Sequence, residues 1–179
     1  MADAIRTSTE LFALLADNTD GNISAQDLRD VLESLRDGHG EMYISSSAGT
    51  TPDDDATYKD IAGTYSLVAG AHNWDMNSNG QLRYTGVADR HVHIWVALSM
   101  STASNNQVLN FRIAKNGDSI AHTTIGRKTG TGSPMGAAAL FDFSTVSTND
   151  YITVQIRNTS GANAVTIDFM TVIAHDGID

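Results

Sequence analysis

The chain has 179 residues, with 21 Asp and Glu against 11 Lys and Arg, a net charge of -10 and no cysteine. Disulfides, thiolate zinc sites and cysteine nucleophiles are therefore excluded. The acidic balance argues against nucleic acid or an anionic membrane as partner, since both call for basic patches. No apolar run approaches the roughly 18 residues of a membrane span, and the opening MADAIRTSTE lacks the basic and apolar segments of a secretion signal.

Two regimes follow one another along the chain. Up to about residue 37 the apolar residues recur at helical spacing. Leu11, Phe12, Leu14 and Leu15 form a short apolar face after a Ser/Thr start, which predicts a first helix. Asn18-Thr19-Asp20-Gly21 breaks it. Ser24 followed three residues later by Asp27 resembles a capping box, and Leu28, Val31, Leu32 and Leu35 line one face of a second helix. Gly38 and Gly40 are expected to end this helical hairpin and to act as a hinge. The apolar face is too large to leave in water and too small to make its own core, so it is expected to dock on something else. Residues 1–40 are accordingly expected to form an anchor, and residues 41–179 an autonomous head.

From Glu41 the pattern alternates with period two. Strands are expected at 41–46, 58–68, 80–85, 90–100, 108–114, 119–125, 138–146, 151–158 and 164–175, separated by stretches of loop chemistry. Asn116-Gly117 between two alternating runs predicts a type I′ hairpin. Ile152, Val154 and Ile156 alternate with Thr153, Gln155 and Arg157, giving one dry and one wet face. Arg90–Met100 (RHVHIWVALSM) and Phe169–Ala174 (FMTVIA) are apolar on both faces. In a two-sheet sandwich such strands need a second covering layer, and a partner subunit supplies it most economically. Eight or nine short strands in two packed sheets describe a jelly roll.

The ending NDYITVQIRNTSGANAVTIDFMTVIAHDG resembles the last strand pair of the tumour-necrosis-factor-like (TNF-like) and complement globular-head jelly rolls. NGQLRYTGVADRHVHIWVALSMS is similar to earlier strands of that fold as it occurs in phage structural proteins. LFALLADNTDGNISAQDLRDVLESL resembles a short leader found ahead of β heads in phage particle proteins. The resemblance implies a mainly β, two-sheet, TNF-like jelly roll behind a short helical hairpin, a homotrimer, a structural or binding role, no cofactor and no catalytic residues. His91, His93, Trp95, Met170 and Val172, on the two doubly apolar strands, are the expected trimer interface.

Several stretches carry a second reading. Residues 16–27 match a calcium loop at several positions, but Ala16 stands where the first carboxylate belongs. Asp75–Gly80 matches the opening half of such a loop, with Gly86 in place of the closing acid. Asp53-Asp54-Asp55 reads as a solvated loop before it reads as a metal site. His91 and His93 share one face of a strand, a spacing that suits either a metal or a pH-sensitive ring near a symmetry axis. Gly126–Gly136 (GRKTGTGSPMG) lacks phosphate-loop spacing and is expected to be a mobile rim loop. Ser133 is not in a nucleophile-elbow context.

The expected function is that of a virion surface protein of a tailed phage, made in the host cytoplasm. It would be a capsid decoration (cement) protein whose leader grips the major capsid protein or another virion protein. The alternative is the receptor-binding head of a tail fibre or spike. A fibre calls for a long shaft where about 40 residues precede this head. A carbohydrate-binding module or glycosidase is the weaker third class, for want of a carboxylate pair or surface aromatics in the pattern.

Overall fold

A computed structural model describes residues 10, 24–34, 36–51, 57–77, 80–132 and 135–176. The helix α1 (Ala25–Ser34) starts at the expected box. Ser24 N donates to Asp27 Oδ2 at 2.9 Å, and Asp27 N donates to Ser24 Oγ at 3.1 Å. Leu28 and Leu32 are 55% and 61% exposed, whereas Asp30 is buried. The first expected helix, with Leu11, Phe12, Leu14 and Leu15, lies outside the described residues, as does Leu35.

The strands are β1 (His39–Ser47), β2 (Gly49–Thr50), β3 (Lys59–Asp60), β4 (Gly63–Leu67), β5 (Trp74–Met76), β6 (Leu82–Tyr84) and β7 (Arg90–Thr102). They continue with β8 (Val108–Lys115), β9 (Asp118–Ser119), β10 (Ile125–Lys128), β11 (Met135–Val146), β12 (Tyr151–Asn158) and β13 (Val165–Asp176). One sheet runs β11-β7-β13-β1-β4, with β2 also on β13. The other runs β10-β8-β12-β6-β5, with β3 on β12 and β9 on β8, and the pairs are antiparallel. This is a two-sheet jelly roll. Its core is made by alternate residues: Val92, Ile94, Val96, Leu98 and Met100 from the first sheet, against Leu109, Phe111, Ile113, Ile152, Val154 and Ile156 from the second.

Asn116 and Gly117 take φ of 55° and 86° between β8 and β9, as a type I′ turn requires. Four expectations shift. The Gly38–Gly40 hinge is not a hinge: His39 and Gly40 already pair with His175 and Ala174, so β1 begins two residues ahead of the expected boundary. The 119–125 strand is interrupted by a 3-10 turn at Ala121–Thr123. Part of the glycine-rich rim is not loop, because Gly126–Lys128 lie in β10 and Met135-Gly136 in β11. The wet face of β12 is not wet at Thr153 and Gln155, which are 4% and 7% exposed. Their side chains bond Asp60 Oδ1 at 3.1 and 3.0 Å, and Ser119 Oγ donates to Gln155 Oε1 at 2.5 Å. Polar groups can be buried there because each finds a partner.

Candidate assembly face

The same alternation that fills the core turns a second set of side chains outward from the first sheet. On β7 these are His91, His93, Trp95 and Ala97; on β11 they are Ala139, Phe141 and Phe143. On β13 the register jumps between Ile167 and Phe169, a bulge that resets the alternation. Beyond it Phe169, Thr171, Ile173 and His175 face out. Met170 and Val172, expected at the interface, instead point into the core and are 1% and 0% exposed. A hydrophobic strand does not reveal which of its two faces the sheet covers, and the bulge decides it here.

Register then assembles two rows across the sheet. One is Phe141–Trp95–Ile173–Glu41, the other Phe143–His93–His175–His39. Trp95 stacks on His93 with ring centroids 5.3 Å apart and lies 5.9 Å from Phe141; His93 is 4.7 Å from Phe143, and His91 stacks on Phe143 at 5.6 Å. Four large rings remain largely open: Trp95 at 42%, and Phe141, Phe143 and Phe169 at 52% each. A groove of about 500 Å³ adjoins the patch, lined by Trp95, Ala97, Ala139, Phe141, Thr171 and Ile173 and also by His122 and Thr123 of the 3-10 turn and Ile125 of β10. A contiguous aromatic patch of this kind is unusual on a monomer's surface.

Histidines gather at one end of this face. His39 pairs in register with His175, which pairs with His93, and His39 also bridges to His72. His91 Nδ1 lies 3.0 Å from Thr145 Oγ1, and His175 Nε2 lies 3.9 Å from Asp37 Oδ2. Just inside, Asp176 is almost fully buried, with Arg90 Nε at 3.6 Å. Burial pushes its carboxyl above the ordinary value, against the opposing pull of its own backbone N–H and of Arg90. Sequence reading found His91, His93 and Trp95 but missed Phe141 and Phe143. Their alternation was visible in ALFDF, but only the pairing of β11 with β7 shows that they join the same patch.

Two further groups of chemistry-bearing residues pair locally, and Asp53-Asp54-Asp55 lie outside the described residues. Asp75 makes a two-pronged pair with Arg83, at 2.9 and 2.6 Å, inside the β5–β6 hairpin, so its carboxylate serves the fold. His122 Nε2 lies 2.7 Å from Asp142 Oδ1, and Ser144 Oγ donates to the other oxygen of the same carboxylate. Asp142 thus takes both neighbours, whereas a nucleophilic serine would need the histidine beside it. Among the described residues no group of three or more His, Asp or Glu is placed to hold a metal ion.

No protein-family model matches the chain, and no curated protein matches it. Solved structures do. The Eiger TNF of S. frugiperda superposes on 80% of this chain and 94% of its own, with a TM-score of 0.52 and 9% identity. Murine APRIL superposes on 75% of this chain and 98% of its own, at 0.52 and 8%. The fold is a TNF-like jelly roll. The PRD1 vertex protein P5 aligns with 81% of the chain and 99% of its own at 14% identity, with a TM-score of 0.49, too low to carry weight. At these identities the TNF-like likeness speaks for the fold alone.

Proposed function

We propose that this chain is a structural virion protein of a tailed phage: a decoration (cement) protein whose TNF-like head assembles as a homotrimer and whose leader attaches it to the shell. The observation that carries the reading is the outward face of the first sheet. Trp95, Phe141, Phe143, Phe169 and Ile173 lie together on it, at least partly exposed, with no second layer among the described residues of the chain. Covering such a face is favourable by about 25 cal/mol for each Å² of apolar surface removed from water. Copies of the same chain can provide the cover by rotational symmetry. The interface would then be Trp95, His91 and His93 as read from the sequence, joined by Phe141, Phe143, Phe169 and Ile173 in place of Met170 and Val172.

The leader supports the second half of the reading. Leu28 and Leu32 of α1 are open to solvent, on the helix whose sequence resembles phage leaders. With Leu11, Phe12, Leu14, Leu15, Val31 and Leu35 they are the proposed shell-binding residues, with the major capsid protein or another virion protein as partner and the particle surface as location. The test compares the full chain with one starting at Asp37, which keeps β1 whole, for co-sedimentation with shells stripped of this protein. The truncated head should remain a folded trimer and lose shell binding. Undiminished binding would move the attachment surface onto the jelly roll.

A further inference from the structure

We propose that Arg112, Arg157 and Tyr58 form a binding site for an oxyanion, a carboxylate or phosphate group carried by a ligand that docks on the outer face of the second sheet. The alternation of β8 and β12 sends Phe111, Ile113 and Ile156 into the core and therefore Arg112 and Arg157 outward. Lys59 of β3 pairs with Ile156, which sets Tyr58 beside Arg157. The Arg112 guanidinium carbon lies 4.3 Å from the centre of the Tyr58 ring, and that of Arg157 lies 4.9 Å from it. Two cations are thus held against one aromatic ring.

In a chain of net charge -10, no carboxylate of the described residues lies within ion-pair distance of either guanidinium. The acid on the same face, Asp60, accepts instead from Thr153 and Gln155. Arg112 Nε donates to Thr124 Oγ1 at 2.6 Å. The Asn110 side chain, turned to satisfy its neighbours, accepts from Arg157 Nη2 at 3.1 Å. Those bonds fix the orientation of both forks without cancelling their charge. Four buried side-chain polar atoms have no hydrogen-bond partner among the described residues, and two of them, Tyr58 Oη and Arg157 Nε, belong to this cluster.

A bound anion answers these features together. Two like charges sharing a ring repel each other, and an anion between them removes that cost while it gains from both. A guanidinium presents planar forked donors that match carboxylate and phosphate oxygens, and stacking on Tyr58 holds the forks in place before a ligand arrives. The site lies on the sheet opposite the aromatic face, so it remains open whether or not the head assembles through that face. It is independent of the proposed trimer.

The test titrates the full-length protein with inorganic phosphate and, separately, with glucuronate. Glucose is the neutral control, chloride holds the ionic strength constant, and the Nε–H signals of Arg112 and Arg157 are followed by NMR. Saturable shifts of both signals are expected, with affinity falling roughly tenfold or more in Arg112→Gln or Arg157→Gln, as for loss of a charged hydrogen-bond partner. Response to phosphate alone assigns a phosphoryl ligand; response to glucuronate, with glucose silent, assigns an acidic saccharide. The proposal is overturned if neither anion shifts those signals beyond chloride, or if a folded Arg112→Gln/Arg157→Gln double variant binds as the wild type does. Should the variants fail to fold, the wild-type arginine signals still decide.

Discussion

Trp95 and Phe141 lie opposite each other in register on β7 and β11, with ring centroids 5.9 Å apart, and each ring keeps about half of its surface open. In the neighbouring register pair, Val96 and Leu140 are buried in the core. Folding and the proposed assembly therefore fall on alternate residues of the same strands, and substitutions can separate them.

Trp95→Asp should leave the head folded and abolish its self-association, because the new charge enters a face that is open in the isolated chain. Val172→Asp should instead unfold the head. It places an unpaired charge in a closed core at a cost of about 3–5 kcal/mol, a large part of the roughly 5–15 kcal/mol that holds a domain together. Circular dichroism and light scattering on both variants check the contrast. A monomeric, folded Val172→Asp protein would show that β13 has been assigned the wrong way round.

Asp150 gives a pH prediction with a defined sign. Burial works to raise its carboxyl, but bonds from Asn116 and the Ser147 N–H, together with the charge of Lys115, overcome this and hold it below the ordinary value. A depressed acid stabilises the fold above its unfolded value and loses that contribution as pH falls through its folded value. Asp150→Asn should cost about 1–2 kcal/mol near neutrality. The gap from wild type should close only in strongly acidic solution, as read from urea unfolding at several pH values.

Calcium should not matter to the β5–β6 hairpin. Asp75, the best-placed acid in that stretch, is engaged by Arg83. Thermal unfolding in millimolar calcium and in chelator should coincide. A ligand bound to the native state alone would raise the midpoint in proportion to RT ln(1 + [L]/Kd).

Alternation in the sequence exposed the two-sheet architecture, the long strands β7, β12 and β13 and the Asn116-Gly117 turn, because period two and turn chemistry are local. It did not expose which face of β13 is covered, since the bulge between Ile167 and Phe169 depends on pairing with β7. Short strands such as β5 and β2 have too few residues to show a period. Tyr58 with Arg112 and Arg157 was invisible for another reason: three residues spread over 100 positions meet only through the pairing of β3, β12 and β8.

The most direct test of the central claim is the solution mass of the full-length protein at micromolar concentration and pH 8, by light scattering coupled to gel filtration. Assembly through the aromatic face predicts three times the 19.1 kDa chain mass, returning to the single-chain mass in Trp95→Asp. A wild-type monomer, or a trimer that Trp95→Asp and Phe141→Asp leave intact, would contradict the account.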